Sequence, residues 1–533
     1  MLARALLLFP LLFIACAGGT DTRDDADAAD QILADVTDDI PEPADVVAPE
    51  DLLLDFHGDA ETGVEVFDLL DAEDLSADLP EDTIPDVPPE DVPPEDVVEE
   101  IFEYVWQPDG PCGTTVYEWL PPDAVGGIVS WEPEPLGTMP PTLIQQLLQE
   151  FGYPALIPVN YGTRVFKMRY LTQDHGVLTE ATAMVGIPDF DPGDGPSLAA
   201  TTVLYLHPTL GFANKCALSG TLEGAAAAAL PATMGFIAVA PDYLGMCGTE
   251  EPCEDIPHPY LIGEPTAIAS WDAARAAHAL LELIDASPTV VPDGKVVPWG
   301  HSQGGHAALF TDRYGPVYAP EFEIPCTIAV VPPGDLAGQA LLALDALDGA
   351  ARLGTGFMIA AALWYDPPAG AASLFNANGP KDYASWLLEV FPTTCNDGKF
   401  VEGAQTIDDI YNPDFILQVL GSGLESVDPW GCISLENSIP HASPPFLSTS
   451  RLLYLIAEND SLVDQGVERA AVQELCDAGY AIDFLECTGG SHTGTAIDTI
   501  GYQVTWLLEC LAGEGPAPEE LCILSDSVDC GAL

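Results

Sequence analysis

Short apolar runs recur along the chain from about residue 163, and helix-like stretches separate most of them. The first two runs, RVFKMRYLTQ and ATAMVGIP, follow each other closely and predict a β-hairpin. Six later runs predict buried strands: ATTVLYLHP, GFIAVAPDY, KVVPWGHSQ, CTIAVVPP, RLLYLIAEND and AIDFLECTG. Between them, alanine-rich stretches such as SWDAARAAHALLELI predict helices. Apolar strands that alternate with helices indicate an α/β fold, in which helices cover both faces of a mostly parallel sheet.

The interval from about Asp335 to Pro445 interrupts this alternation. It lies between two predicted strands and contains helical apolar runs such as GTGFMIAAALWY. We therefore predict a helical cap, inserted over the sheet edge at about 336–445. The apolar run from Phe357 to Trp364 is too short to span a bilayer, so we assign it to the core of the cap.

The first sixteen residues, MLARALLLFPLLFIAC, have one early positive charge, a short apolar stretch and small residues around a cysteine. This pattern is typical of a bacterial lipoprotein signal peptide over 1–16, with Cys16 as the lipidated residue. The alternative is an ordinary secretory signal that is cut near Ala17. In both cases we expect an exported protein. It is either a lipoprotein of the outer membrane or cell surface, anchored to the membrane by its N-terminal lipid, or a secreted protein.

Residues 17–103 are rich in Asp, Glu, Pro and Ala and contain the near repeat PPEDVPPEDV. Such a segment buries too little apolar surface to offset the entropy of ordering it, and its like charges keep it extended. We predict a disordered acidic tether here, followed by one folded domain over 104–533. Cation binding by the Asp-rich run is an alternative, but the spacing of a calcium-binding loop is absent.

The chain has 14 Lys and Arg residues against 85 Asp and Glu residues, which gives a formal net charge of −71. Phosphate backbones need clustered Lys and Arg, so the sequence predicts no nucleic-acid partner. The same charge disfavours electrostatic docking to anionic lipid. A solvated acidic surface is the simplest explanation, and adaptation to salty surroundings is the alternative.

Twelve cysteines remain when Cys16 is set aside. An even number in an exported chain predicts several disulfides, although their pairing does not follow from the sequence. Cys247 and Cys253 are spaced to close a small loop, and Cys510, Cys522 and Cys530 are placed to fix the C-terminus. No C-x-x-C pair lies near a pair of histidines, so we predict no zinc or other metal site.

The stretch WGHSQGG places Ser302 between a predicted strand and a predicted helix. A strand that turns sharply into a helix forces its corner residue into a strained conformation, and Gly300 and Gly304 give the close approach that such a corner requires. The G-x-S-x-G pattern in this context is typical of a nucleophile elbow, where the serine hydroxyl is presented at the edge of the sheet. Ser302 is thus a candidate nucleophile.

A serine hydroxyl needs a base to take its proton and an acid to orient that base. The stretch RLLYLIAEND ends in Asp460, where its apolar strand gives way to polar residues, and His492 lies on a glycine-rich loop after the strand AIDFLECTG. The chain order Ser302, Asp460, His492 is the order expected for a triad that is built on such an elbow. Asp464 remains an alternative acid. We assign His301 and His306, which flank Ser302, to packing or capping.

A tetrahedral intermediate also needs donors for its oxyanion. We expect one from the backbone N–H of Gln303, which follows the nucleophile. The second is expected from the loop LHPTLGF, with Thr209 as first choice and Leu210 as second. Pro208 has no N–H and is excluded.

Four stretches carry a family resemblance: YLHPTLGFANKCALSG, GFIAVAPDYLGMCGT, HPYLIGEPTAIASWDAARAAHAL and WGHSQGGHAALF. Over roughly Thr163 to Leu511 the chain resembles the secretory lipases of the Candida lipase A type, a branch of the α/β-hydrolases. The resemblance implies an α/β-hydrolase fold and a serine carboxylic-ester hydrolase, a lipase or esterase that acts on acylglycerols or related esters without a cofactor. By position it supports the triad Ser302, Asp460 and His492.

The same resemblance supports an oxyanion hole of Gln303 and the Thr209 region. The chain departs from the family at one point: His207-Pro208-Thr209 stands where the family usually has His-Gly-Thr. The proline stiffens this loop, which bears on the shape of the acyl pocket. Two alternatives stay open: a serine peptidase of the same fold, and a non-catalytic binding protein displayed on the cell surface.

Overall fold

The structure is a computed structural model that describes residues 117–533, apart from 151–156, 194, 249–252, 254–255, 285–288, 368–369, 516–520 and 533. The predicted signal peptide with Cys16 and the predicted tether over 17–103 lie outside the described residues. In the described part of the chain, no helix combines the length and the apolar character that crossing a membrane requires.

Nine strands form one mixed sheet, in the spatial order β1-β2-β3-β5-β4-β6-β7-β8-β9. The strands β1, β2 and β3 pair antiparallel, as does β3 with β5, whereas all pairs from β5 to β9 are parallel. The hairpin and the six later strands predicted from the sequence are confirmed. In chain order the strands are β1 Ile128–Pro133, β2 Gly162–Asp174, β3 Val177–Asp189, β4 Leu198–Leu206, β5 Ile237–Pro241, β6 Val290–His301, β7 Cys326–Val330, β8 Arg451–Ala457 and β9 Ala481–Cys487.

The described residues also form thirteen α-helices. They are α1 Pro141–Glu150, α2 Leu222–Met234, α3 Gly263–Ile284, α4 Gln303–Tyr318, α5 Ala340–Ala343, α6 Gly349–Tyr365, α7 Tyr383–Val390, α8 Ile407–Ile410, α9 Pro413–Ser422, α10 Trp430–Glu436, α11 Gln465–Asp477, α12 His492–Asp498 and α13 Ile500–Leu511.

Helices cover both faces of the sheet, as the side chains of β8 illustrate. Leu452 and Tyr454 belong to the apolar cluster that contains residues of α4 and α11. Leu453 and Leu455 point the other way and pack in the cluster that contains residues of α13 and α1. Because successive side chains of a strand point to opposite faces, an apolar residue at every position requires a layer on each side. The predicted α/β architecture, a mostly parallel sheet with helices on both faces, is therefore confirmed.

The helices α5 to α10 lie between β7 and β8, within the segment predicted as a cap. They share an apolar cluster of their own, which includes the buried residues Phe357, Ile359, Leu387 and Trp430. Aspartates start two of these helices, since the carboxylates of Asp348 and Asp382 accept hydrogen bonds from the first turns of α6 and α7. The long interval without sheet strands is thus a helical layer with its own packing.

Disulfides close the predicted small loop between Cys247 and Cys253 and fix the C-terminal region. The C-terminal pairs are Cys326–Cys510, Cys476–Cys522 and Cys487–Cys530. A further disulfide, Cys216–Cys395, links the segment after β4 to the cap helices, and Cys432 is also disulfide-bonded. Several disulfides were expected of an exported chain, and the structure contains them.

Candidate active site

Ser302 occupies a sharp corner between β6 and α4, with φ 56° and ψ −124°. Two glycines permit this corner: a Cβ on Gly300 would lie 2.2 Å from the carbonyl oxygen of Gly304, and a Cβ on Gly304 would lie 1.9 Å from that of Leu206. The Ser302 N–H donates to the Val330 carbonyl at 2.9 Å, which fixes the corner to β7. The serine therefore stands at the carboxyl edge of the sheet, directly before the N-terminus of α4.

The three residues predicted as a triad lie in one hydrogen-bonded chain. His492 Nε2 lies 2.8 Å from Ser302 Oγ, and His492 Nδ1 lies 2.6 Å from Asp460 Oδ2. The side chains of His492 and Asp460 are 10% and 3% exposed. In this arrangement His492 can take a proton from the serine hydroxyl at Nε2. The Asp460 carboxylate, which faces Nδ1, can then stabilise the resulting imidazolium.

Asp464, the alternative acid, has a different contact. Its carboxylate accepts a hydrogen bond from Val467 N at 3.0 Å and so caps the N-terminus of α11. The other oxygen of Asp460, Oδ1, accepts from Leu462 N at 2.8 Å and Val463 N at 3.0 Å. These two amide donors orient Asp460 toward His492, and the geometry favours Asp460 as the acid.

Hydrogen bonds join the loop that carries Asp460 to the loop that carries His492. Asn459 N donates to Gly490 O at 2.8 Å, and Gly489 N donates to the Glu458 carboxylate at 2.6 Å. Ser491 caps α12, since its hydroxyl accepts from Gly494 N at 3.1 Å. His492 is consequently the first residue of a capped helix. The hydrogen bonds between the two loops and the cap of α12 together fix its position relative to Asp460.

Gln303, one of the predicted oxyanion donors, is the first residue of α4 and is buried. Its side-chain N–H donates to His258 Nε2 at 3.0 Å, while His258 Nδ1–H donates to Leu244 O at 2.8 Å. Burial lowers the pKa of His258 to about 3, so this imidazole stays neutral and accepts at Nε2. The role of His258 in holding Gln303 did not follow from the sequence, where only its place in HPYLIGEP marks it.

Thr209, the second predicted oxyanion residue, lies beside the site. Its hydroxyl is 2.9 Å from the hydroxyl of Tyr260, and Tyr260, unlike Thr209, is among the residues that line the cavity above Ser302. The loop is held by the Tyr243 hydroxyl, which donates to His207 O at 3.0 Å. The structure thus brings Gln303 to the cavity wall, and Thr209 contacts that wall through the Tyr260 hydroxyl.

The two histidines that flank Ser302 are both buried. Burial lowers the pKa of His301 to about 3 and that of His306 to about 4. His306 donates from Nε2 to Asn437 O at 3.0 Å. Neutral, buried imidazoles fit the packing role that the sequence predicts for them.

An apolar cavity extends from Ser302 and His492 into the helices of the cap. Its wall includes Leu353, Phe357, Phe415 and Leu424, with Gln303 and Gln339 as polar members. Such a wall can accept a hydrocarbon chain next to the serine. Among the residues that the structure describes, no group of three or more His, Cys, Asp or Glu side chains could hold a metal ion.

Known structures share this fold. The rice cell wall degrading esterase LipA from Xanthomonas oryzae superposes with a TM-score of 0.58 at 19% identity, covering 74% of this chain and 100% of LipA. Lipase A from Candida antarctica superposes with a TM-score of 0.54 at 16% identity, covering 74% of this chain and 84% of the lipase. At these identities the likeness concerns the fold alone.

No protein with a curated function matches the chain significantly. Residues 203–496 do match the family described as "Alpha/beta hydrolase family", and this range contains the Ser302 corner, the cap helices, Asp460 and His492. The chain therefore belongs to the alpha/beta hydrolase family.

Proposed function

We propose that this protein is an exported serine hydrolase of carboxylic esters, a lipase or esterase that works through an acyl-enzyme. The observation that carries the proposal is the unbroken chain of hydrogen bonds from Ser302 through His492 to Asp460 at the base of an apolar cavity. Family membership supports hydrolysis in general, whereas the cavity supports an ester with an apolar acyl chain.

In the first step Ser302 Oγ attacks the ester carbonyl, and His492 Nε2 takes the hydroxyl proton as the bond forms. Asp460 accepts a hydrogen bond from Nδ1–H and so keeps Nε2 unprotonated and ready to act as a base. The imidazolium then gives its proton to the departing alkoxide, which leaves as the alcohol. The acyl group stays on Ser302 as an ester.

In the second step a water molecule replaces the alcohol and His492 removes its proton, so that the acid is released and the serine hydroxyl is restored. Each step passes through an oxyanion, for which we assign the backbone N–H groups of Gln303 and Thr209 as donors. The helix dipole of α4, which begins at Gln303, favours negative charge at the same place.

The cavity wall supports an uncharged acyl chain as the substrate group. Apart from the triad histidine, the described residues that line the cavity are apolar or uncharged, and none of them is Lys or Arg. A carboxylate or phosphate in the acyl part would therefore lose its hydration without gaining a partner. Acylglycerols and related esters fit this wall.

The disulfides support the export of the chain, since such bonds form in oxidising compartments. We propose a lipoprotein signal peptide over 1–16 with lipidation at Cys16, an acidic tether over 17–103, and a hydrolase domain over 104–533 with its cap at about 336–445. The lipid would hold the enzyme at the outer membrane or cell surface, and cleavage near Ala17 would instead release it.

The test is hydrolysis of p-nitrophenyl esters from acetate to palmitate by the protein and by its Ser302→Ala variant. We expect turnover that falls at least about 10³-fold in Ser302→Ala while the thermal unfolding midpoint is retained. The acyl chain length that is hydrolysed fastest distinguishes a lipase from a short-chain esterase. Activity on aminoacyl amides in place of esters would identify a peptidase, and a folded protein without any activity would contradict the proposal.

A further inference from the structure

We propose that Glu468 is a positioning residue, whose buried carboxylate joins the base of the cap to the loop of the triad acid. This inference rests on the proposed function, because it concerns how Asp460 is kept within reach of His492. Glu468 lies on α11, eight residues beyond Asp460, and touches neither Ser302 nor His492 through any described hydrogen bond.

Glu468 is fully buried, yet hydrogen-bond donors surround its carboxylate. Gly334 N donates to both oxygens at 3.1 Å, Gln339 Nε2 donates at 2.8 Å, and the Tyr454 hydroxyl donates to Oε2. A buried carboxylate is costly unless donors satisfy it. Two of these three partners are N–H groups that can only donate, so the site is built for an acceptor on both oxygens.

The first contact of Glu468 is with the base of the cap. Gly334 follows β7 at the point where the chain leaves the sheet, and its carbonyl accepts from Ile439 N at 2.8 Å, where the chain returns from the cap. Next to it, the Ser438 hydroxyl accepts from Ala337 N at 3.1 Å. One carboxylate therefore holds the segment in which the outgoing and returning chains meet.

The second contact leads to the acid loop through Gln339. The side-chain oxygen of Gln339 accepts from Asp464 N at 2.8 Å, and its side-chain N–H groups reach Asp464 O at 3.2 Å and Glu468 at 2.8 Å. Asp464 ends the short loop that starts at Asp460, and the loop residues Leu462 and Val463 line the cavity together with Gln339. The path from Glu468 to the acid loop is thus two hydrogen bonds long.

A Glu468→Gln substitution keeps one side-chain oxygen and puts an NH2 group in place of the other, so that either Gly334 N–H or one N–H of Gln339 faces a donor and loses its acceptor. The segment can relieve this only by moving, which carries Gln339 and the acid loop with it. Catalysis by a triad is sensitive to displacements of about 1 Å. Burial raises the pKa of Glu468 to about 7 and the Asp335 carboxylate adds to this rise, whereas the donated hydrogen bonds lower it.

The test combines Glu468→Gln with Gln339→Met in a double-mutant cycle, measured with a p-nitrophenyl ester. We expect kcat to fall about tenfold in Glu468→Gln, with KM within about twofold, because the chemical step and not the substrate contact is disturbed. If Glu468 acts through Gln339, the double variant loses no more than the more impaired single variant. Independent, multiplying losses would overturn the proposed path.

Asp312→Asn is the matched control, since Asp312 is also buried and accepts from the hydroxyls of Thr327, Ser448 and Ser450, none of which has a described hydrogen bond to Glu468 or Gln339. We expect it to lower the unfolding midpoint and leave kcat of the folded enzyme within about twofold. If Glu468→Gln behaves in the same way, Glu468 is merely structural and the proposal is wrong.

Two further measurements keep the test decisive. If Glu468→Gln does not fold, Tyr454→Phe removes a single donor from the carboxylate; a lower kcat is expected, and an unchanged kcat would overturn the proposal. The rate at which a fluorophosphonate modifies Ser302 reports triad geometry without any ester substrate. A wild-type protein that reacts with the fluorophosphonate but hydrolyses no ester would contradict the proposed function, while the variants would still test the role of Glu468.

Discussion

Two aspartates four residues apart have separate tasks in this structure. The Asp460 carboxylate faces His492 Nδ1 at 2.6 Å, whereas the Asp464 carboxylate faces the first turn of α11. The difference arises because Asp460 lies three residues beyond the end of β8, at the start of the loop, while Asp464 stands one residue before the helix. The chemical role of each side chain is thus set by its distance from the strand end.

We predict that Asp460→Asn lowers kcat strongly and that Asp464→Asn does not. The first should lower kcat on the order of 10³–10⁴-fold, because an amide in place of the carboxylate no longer favours the Nδ1–H tautomer of His492. The second should leave kcat nearly unchanged, since Asn caps helices about as well as Asp and the backbone contacts to Gln339 remain. Steady-state kinetics on a p-nitrophenyl ester distinguish the two, and the reverse ranking would make Asp464 the acid.

The corner formed by β6, Ser302 and α4 requires two glycines for steric reasons. Gly304 stands inside α4, where glycine is otherwise unfavourable, and its Cβ would meet the Leu206 carbonyl of the neighbouring strand. Gly421, at the end of α9 in the cap, is helical too, but a Cβ there would meet nothing within 4 Å.

We therefore predict that Gly304→Ala destabilises the protein by at least about 3 kcal/mol, because backbone must move to admit the methyl group. Gly421→Ala should be neutral or stabilising by up to about 1 kcal/mol, as expected for a helical glycine in open space. Thermal and denaturant unfolding of both variants provide the measurement. Equal effects of the two substitutions would contradict the structural reason given for the G-x-S-x-G pattern.

The sequence predicts these elements unevenly, for physical reasons. Strands buried on both faces are apolar throughout, so the sequence alone locates them. The corner at Ser302 can also be located, because its two glycines and its serine lie within five residues of one another. The edge strand β1 was missed because its side chains are mostly exposed and carry no such run. The contacts of Gln303 with His258 and of Glu468 with Gln339 join residues 45 and 129 positions apart, and no local pattern reveals them.

At the scale of the whole molecule, negative charge dominates. Residues 117–533 carry 53 Asp and Glu against 12 Lys and Arg, so this part of the chain is strongly acidic even without the proposed tether. Most of the described Asp and Glu side chains are not buried, and their charges repel one another in the folded state. The disulfides offset the destabilising effect of that repulsion because they restrict the unfolded chain; the partners of Cys216–Cys395 are 179 positions apart in the sequence.

We accordingly predict that salt stabilises the fold. Raising NaCl from about 0.02 to 0.5 M shortens the Debye length to a few ångströms and should raise Tm by about 2–5 °C. Differential scanning calorimetry of the chain without the proposed signal peptide and tether measures this effect. The low-salt buffer at the same pH is the reference, and a Tm that falls with NaCl would show that attractive ion pairs outweigh the repulsion.

We propose that Ser302 forms a covalent acyl-enzyme, and mass spectrometry tests this proposal most directly. After a brief reaction with a p-nitrophenyl ester and acid quenching, we predict a protein heavier by one acyl group, with the added mass on the peptide that contains Ser302. Ser302→Ala should carry none. Ester turnover by the wild-type protein with no adduct at Ser302, or an adduct at another residue, would contradict the account.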